Sequence, residues 1–132
     1  MIDIEHVDYV GVPVRDLARA DDFYGRTLGL PRSPNSGPRW VEYDTENVTI
    51  ALISPEAMGP SFLDDFQPNK VPIALRVPNV EEAKRKLEDA GVEFGGDVID
   101  SGVCHIAGFK DPDGNALILH RRYAPYADGS TP

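Results

Sequence analysis

The feature that most constrains the fold of this chain is an internal repeat. Residues 9–17 and 72–80 share the order of their apolar positions and a polar residue suited to start a helix. Asp16 in the first copy corresponds to Asn79 in the second. In both copies a stretch with strand-like alternation is followed by apolar residues at helical spacing. With 132 residues, the chain can hold two such units within one domain but is too short for two unrelated domains.

The first unit has the pattern strand, helix, hairpin. Alternating valines predict a strand over 9–14, with one face in the core. Asp16 is a predicted N-cap, and the helix that it starts is expected to end at Gly29. Two β-rich runs, 39–43 and 48–53, are joined by a short polar turn, which predicts a hairpin.

The second unit repeats this order. Residues 72–77 alternate as a strand does, and Asn79 opens a stretch that resembles a capping box. Two further predicted strands, 103–109 and 116–121, flank the turn Asp-Pro-Asp-Gly-Asn at 111–115. A hairpin therefore follows the helix in both units, as expected for a duplicated module.

The resulting domain map is a single domain over 1–132. Module one covers about 5–54, and module two covers about 70–122. A proline-rich linker, 55–69, joins them, and the tail at 123–132 has no periodicity and is expected to be loose.

Composition excludes several classes of partner. The net charge is -9 and basic residues are scattered, so a nucleic acid is not expected to bind. No apolar run is long enough to cross a bilayer, and the first residues lack the features of a secretory signal, so no membrane partner is expected. The lone cysteine, Cys104, cannot form an intrachain disulfide, which suits a reducing compartment. We therefore expect a cytoplasmic protein.

Four short motifs occur in a fixed order along the two units. They are VPVRDL at 12–17, FY at 23–24, LGL at 28–30 and FKDPDGN at 109–115. With the duplicated βαβββ order, they resemble the glyoxalase/bleomycin resistance/dioxygenase family, also called the vicinal oxygen chelate superfamily, over residues 9–121. The resemblance implies an α+β fold in which two βαβββ modules form a cupped, eight-stranded mixed sheet with helices outside.

The resemblance also locates four positions that hold a metal ion in metal-dependent members. There, His, Glu and Tyr side chains bind an ion that stabilises an enolate or alkoxide. The matching positions here are Tyr9, about Ala51, Pro72 and Ile118. Three of these side chains cannot bind a metal, and a lone phenol, which ionises only near pH ~10, is a poor anchor. The expected protein has lost its metal ligands and uses no cofactor.

Three histidines leave one alternative open. His120 shares a strand face with Ile118, whereas strand parity turns His6 away from the position of Tyr9. Whether His6, His105 or His120 rebuild a metal site is not decided by the sequence. The competing interpretation is that they are ordinary core or surface residues.

The side chains predicted to face the cup are mainly apolar, with a few polar groups, as is usual for an organic-ligand pocket. The predicted ligand-binding residues are Tyr9, Trp40, Glu42, Thr49, Arg76, Ile118 and His120. Candidate catalytic residues are His120, Tyr9 and Arg76, with His120 beside Tyr9 as an acid/base pair. Arg76 can instead pair with Glu42, and His120 can instead lie at an exposed strand end.

Two functions from different classes fit these residues. The first is a metal-free binding protein, of the kind that resembles bleomycin-resistance proteins, which holds an antibiotic or metabolite in the cup. The alternative is a glyoxalase-like lyase or isomerase, either metal-independent or with a rebuilt metal site, so whether the chain is an enzyme stays open. A structural module without a ligand is a third possibility. Family members often dimerise, so a homodimer is expected.

Overall fold

The computed structural model describes residues Met1–Pro132, which divide into two compact units, Met1–Asn69 and Lys70–Pro132. Each unit has a strand, a helix and then an antiparallel hairpin, so the α+β class and the two βαβββ-like modules are confirmed. No helix in the structure combines the length and apolar character needed to cross a membrane.

The first unit contains a three-stranded mixed sheet. Its strands are β1 (Tyr9–Pro13), β2 (Val41–Asp44) and β3 (Thr49–Ile53), in the spatial order β1-β3-β2. The strand β1 runs parallel to β3, and β2 runs antiparallel to it. The parallel pairing needs a crossover between β1 and the hairpin, which the intervening helix provides.

The helix of this unit changes its hydrogen bonding part of the way along. Helix α1 (Leu17–Asp21) starts as predicted, because the Asp16 side chain accepts a hydrogen bond from the Arg19 N–H at 3.0 Å. It then continues as a π-helical turn over Asp22–Thr27, which the sequence did not predict. At the junction the Tyr43 hydroxyl donates to the Asp21 carboxylate at 2.5 Å and lies 3.2 Å from the Asp21 carbonyl oxygen.

The predicted linker contains helical turns and contacts the body of the first unit. Helix α2 (Pro55–Met58) is followed by a short 3-10 turn over Pro60–Leu63. The Leu17 N–H donates to the Glu56 carboxylate at 3.4 Å, and the Arg15 guanidinium lies 4.0 Å from the centre of the Phe66 ring. These contacts hold the segment against the start of α1.

The second unit contains a four-stranded mixed sheet. Its elements are β4 (Ile73–Arg76), α3 (Val80–Asp89), β5 (Ile99–Asp100), β6 (Cys104–Lys110) and β7 (Ala116–Arg122). The spatial order is β4-β7-β6-β5, with β4 parallel to β7 and the other pairs antiparallel. As predicted, Asn79 caps α3, since its side chain accepts from the Glu82 N–H at 2.9 Å.

The sheets contain three and four strands, so the expected count of eight is wrong by one. In the second unit β5 lies between the helix and the hairpin, whereas the first unit has only an isolated bridge between Arg32 and Tyr43 at this point of the module. Three prolines at 31, 34 and 38 surround that bridge. Because proline has no N–H to donate, this segment cannot extend the bridge into a ladder.

The 111–115 turn between β6 and β7 is organised by a buried carboxylate. Asp111 accepts hydrogen bonds from the N–H groups of Asp113 and Asn115, at 2.8 and 2.9 Å, and from the Asn115 side-chain amide at 2.8 Å. Gly114 has a φ of +91°, a conformation that favours glycine. Asp111 and Asn115 are both buried, so the motif that carried the resemblance is a structural turn.

Replacing this carboxylate tests its structural role. We expect Asp111→Ala to lower the free energy of unfolding by about 2–4 kcal/mol, because it leaves buried N–H donors without an acceptor. Denaturant titration measures the change. The matched control is Asp128→Ala, since Asp128 accepts two similar hydrogen bonds from Ser130 in an exposed turn and its loss is expected to cost much less. Equal losses in the two variants would contradict this role.

Candidate functional site

One face of the first sheet packs against its helix; the other, called the open face, is exposed at Tyr9, although Ala51 in its middle is fully buried. Along β1 the residues alternate as predicted: Val12 is 1% exposed, whereas Tyr9 is 47% exposed. The neighbouring buried positions Ile50 and Leu52 lie on the helix side with Val12. The open face therefore carries the residues that alternate with these buried ones, such as Tyr9 on β1.

All four predicted ligand residues of the first unit lie on this open face. Tyr9 is in register with Thr49, and Glu42 is in register with Ala51 on the same strand. Trp40 immediately precedes β2 with the same parity as Glu42. The sheet therefore brings Tyr9, Trp40, Glu42 and Thr49 to one surface.

Two of these residues form an aromatic pair beside a carboxylate. The rings of Tyr9 and Trp40 have centroids 5.4 Å apart and planes at 81°, an edge-to-face contact. The Trp40 indole N–H donates to the Glu42 carboxylate at 3.0 Å. This hydrogen bond fixes the indole and leaves the carboxylate with further acceptor positions.

Small residues lie between the large ones on this face. Gly11 and Ala51 are in register with each other in the middle of the face. A Cβ atom on Gly11 would lie 3.2 Å from the Ile53 side chain, so a larger residue at this position would press on its neighbour. Alanine would therefore fit at this position only if the Ile53 side chain moved by a few tenths of an ångström.

The second sheet places Arg76 and His120 side by side. These residues are register partners on β4 and β7, and Ala74 and Ile118 form the adjacent pair on the same face. Leu117 and Leu119, of the opposite parity, are buried. The predicted contacts of His120 with Tyr9 and of Arg76 with Glu42 each join residues of different units, and they stay predictions.

The three histidines do not come together. His6 precedes β1, is exposed and pairs with Asp8 at 2.9 Å. His105 is in register with Arg121, so it lies on the face of the second sheet opposite to His120. No group of three or more His, Cys, Asp or Glu side chains is arranged to hold a metal ion.

The positions that match the family's metal ligands also do not fit an ion. The side chains of Tyr9, Ala51, Pro72 and Ile118 offer one phenol oxygen among four positions. A transition metal needs three or more nitrogen, oxygen or sulfur donors from the protein. The donor set of this chain therefore provides no step through a bound metal.

Sequence reasoning missed a polar cluster at the edge of the second sheet. The Asp100 carboxylate accepts hydrogen bonds from the Gly102 N–H at 2.8 Å and the Tyr123 hydroxyl at 2.7 Å, and it lies 3.4 Å from Nε2 of His105. The rings of His105 and Tyr123 are 4.7 Å apart. The hydrogen bond from Gly102, followed by that from Tyr123, lowers the pKa of Asp100, and donation to Asp100 raises the pKa of Tyr123.

The comparisons with known proteins agree with this architecture. The model of the Glyoxalase/Bleomycin resistance protein/Dioxygenase superfamily matches residues 6–119. A superfamily member from Sphaerobacter thermophilus is 26% identical, with 89% of this chain and 97% of that chain covered and a TM-score of 0.72. An antibiotic binding protein from a Streptomyces species is also 26% identical, with 92% and 99% covered and a TM-score of 0.70.

A third similar structure is a glyoxalase/bleomycin resistance protein/dioxygenase from Nocardioides. It is 19% identical, with 100% of this chain and 90% of that chain covered and a TM-score of 0.72, so its likeness is one of fold. Among curated proteins, none is significantly similar to this chain.

Removing the Tyr123 hydroxyl tests the polar cluster. In Tyr123→Phe the Asp100 carboxylate loses one donor, so its pKa is expected to rise while staying below its ordinary value, because Gly102 still donates. An NMR titration of the carboxyl carbons measures this pKa. Since a lowered folded-state pKa stabilises the fold above the unfolded-state value, the variant should lose less stability than the parent as the pH falls.

The control for this titration is Tyr126→Phe. The Tyr126 ring packs 4.9 Å from the Arg122 guanidinium and does not contact Asp100. Its replacement should leave the Asp100 titration unchanged. An unchanged Asp100 pKa in Tyr123→Phe as well would show that the hydroxyl does not act on this carboxylate.

Proposed function

The chain belongs to the glyoxalase/bleomycin resistance protein/dioxygenase superfamily, and we propose that it is a metal-free member that binds a small organic ligand. The donor set at the family's metal positions supports the metal-free part of the proposal, because three of the four side chains cannot bind an ion. The likeness to an antibiotic binding protein supports an antibiotic or a metabolite of similar chemistry as the ligand.

The observation that carries the proposal is the arrangement of Tyr9, Trp40 and Glu42 on the open face of the first sheet. An edge-to-face aromatic pair offers flat, rigid surfaces against which a planar ligand can stack. The Glu42 carboxylate next to the indole favours a ligand with a positive charge. The net charge of -9 adds attraction for a cation at long range. We therefore propose a planar, cationic aromatic compound as the class of ligand.

Calorimetric titration with two probes of similar shape and opposite charge tests this class. Proflavine is a planar tricyclic cation, and anthracene-2-carboxylate is a planar tricyclic anion. We expect proflavine to bind more tightly, and Trp40→Ala to weaken it about tenfold or more, since a buried aromatic contact is a typical binding hot spot. Tighter binding of the anion would contradict the proposal.

Comparing Trp40→Ala with Glu42→Gln separates the contribution of aromatic stacking from that of charge. Glu42→Gln keeps an acceptor for the indole but removes the negative charge, and we expect it to lower proflavine affinity by about three- to tenfold. The matched controls are Glu46→Gln in the turn after β2 and Tyr126→Ala in the second unit, both of which should bind proflavine like the parent chain. Equal losses in Glu42→Gln and Glu46→Gln would assign the effect to net charge alone.

Metal content tests the other half of the proposal. Chain purified without chelator is expected to contain far less than one equivalent of Mn, Fe, Ni or Zn, because the positions of Tyr9, Ala51, Pro72 and Ile118 supply too few donors. Thermal unfolding with added Zn²⁺, Mn²⁺ or Ni²⁺ should show no stabilisation, since an ion that binds only the folded state would raise the midpoint. A stoichiometric metal ion, together with a higher midpoint of thermal unfolding when that ion is added, would contradict the proposal that the chain is metal-free.

A second candidate function is metal-independent catalysis as a lyase or isomerase. The observation that favours it is the register pairing of Arg76 and His120, which lie side by side on an open sheet face. An imidazole can remove a proton from the carbon atom next to a carbonyl group. A guanidinium can stabilise the negative charge of the enolate that forms. Deuterium exchange of hydroxyacetone, lost in His120→Gln, would favour this function over binding alone. The homodimer expected from the resemblance stays a prediction.

A further inference from the structure

The face of the second sheet that packs against α3 ends in a basic cavity. This cavity has a volume of about 500 Å³. Its lining includes three arginines, one on α3 and two at the end of β7, and two ring side chains. These five residues are Arg85, Arg121, Arg122, His105 and Tyr123. The first turn of α3 also lines the cavity. A volume of this size falls in the range of small-molecule sites.

Strand register brings two of these side chains to one face of the sheet. His105 on β6 and Arg121 on β7 are direct partners, so their side chains leave the sheet on the same side. Further along the same face, Leu119 and Ala107 are buried partners. The cavity lies where this apolar face ends, beside the start of α3.

The arginines around the cavity lack acidic partners. On α3, Lys84 pairs with Glu88 at 3.6 Å and Lys86 pairs with Glu82 at 3.3 Å, whereas Arg85 between them forms no ion pair. Arg121 forms none either. Lys84 and Lys86, which do not line the cavity, each have an acidic partner. Arg85, which lines it, has none.

Arg122 also lines the cavity, but it has the same parity on β7 as His120, so its side chain leaves the sheet on the face opposite to Arg121. Its Nη2 donates to the Pro125 carbonyl oxygen at 2.7 Å, which holds the guanidinium in place. Its Nε is buried and has no acceptor. Arg122 is therefore held at the edge of the cavity, and the guanidinium groups available to an anion there are those of Arg85 and Arg121.

Two carboxylates lie near these arginines. Asp100 is already engaged by Gly102, Tyr123 and His105. Glu81 lines the cavity one turn before Arg85, without an ion pair to it. Glu81 is therefore the one acidic side chain in the lining, beside the guanidinium groups of Arg85 and Arg121, and the balance of side-chain charge is positive.

We propose that this cavity binds a dianionic phosphate group, either free or carried by a small organic monoester. Guanidinium groups present paired N–H donors that match phosphate oxygens, and several of them can share one dianion. The stacked rings of His105 and Tyr123 offer a surface for an organic substituent. The site is separate from the ligand face proposed above, because its lining belongs to the second unit and Tyr9, Trp40 and Glu42 belong to the first.

The test is calorimetric titration of the full chain with phenyl phosphate and with inorganic phosphate at low ionic strength. Saturable binding of either probe is expected. Arg85→Gln and Arg121→Gln should each lower the affinity about tenfold or more, the usual effect of losing one charge-assisted hydrogen bond. Tighter binding of phenyl phosphate would identify an ester as the ligand, and equal binding would identify free phosphate.

The matched control is Lys86→Gln, which removes a neighbouring positive charge on α3 outside the cavity. Its affinity should stay within about twofold of the parent value, since Lys86 is exposed, pairs with Glu82 and makes no hydrogen bond to a ligand in the cavity. Thermal unfolding confirms that all three variants fold. The proposal is overturned if the parent chain shows no saturable binding, if both arginine variants bind like the parent, or if Lys86→Gln loses as much affinity as they do.

Discussion

The constraint on which the rest of this structure depends is the two-residue period of its strands. In each unit one face of the sheet is filled by apolar side chains such as Val12, Leu52 and Leu119. Once these residues are buried, every residue of the other parity is left on the opposite face. A slip of one residue would exchange the two sets, so burial of the core also decides which polar groups are available for binding.

This constraint explains which parts of the site could be predicted from sequence. The alternation around Tyr9 and His120 is local, and it correctly indicated which residues share a face. The caps at Asp16 and Asn79 are local as well, because each side chain bonds an N–H three residues later. Residues whose positions are set by their immediate neighbours are the ones for which a single sequence is informative.

Features that depend on distant partners were not predicted. The π-helical turn begins next to Asp21, which binds the hydroxyl of Tyr43, 22 residues further along the chain. The cluster at Asp100 needs Tyr123, which is 23 residues away and lay in a stretch without periodicity. The two-residue strand β5 is too short to show any alternation. In each case the cause is a tertiary contact that leaves no repeating signal in the chain.

The same alternation places different polar side chains on the two faces of one strand. Along β7, His120 lies beside Arg76 on one face, and Arg121 lies beside His105 on the other. A backbone shift in β7 would move both faces, but a side-chain replacement at either position acts on one alone. Because adjacent residues are separated in this way by the sheet itself, a chain with this fold can change the residues on one face of a strand without changing those on the other. The chemistry of such a chain is therefore better judged face by face than by its superfamily.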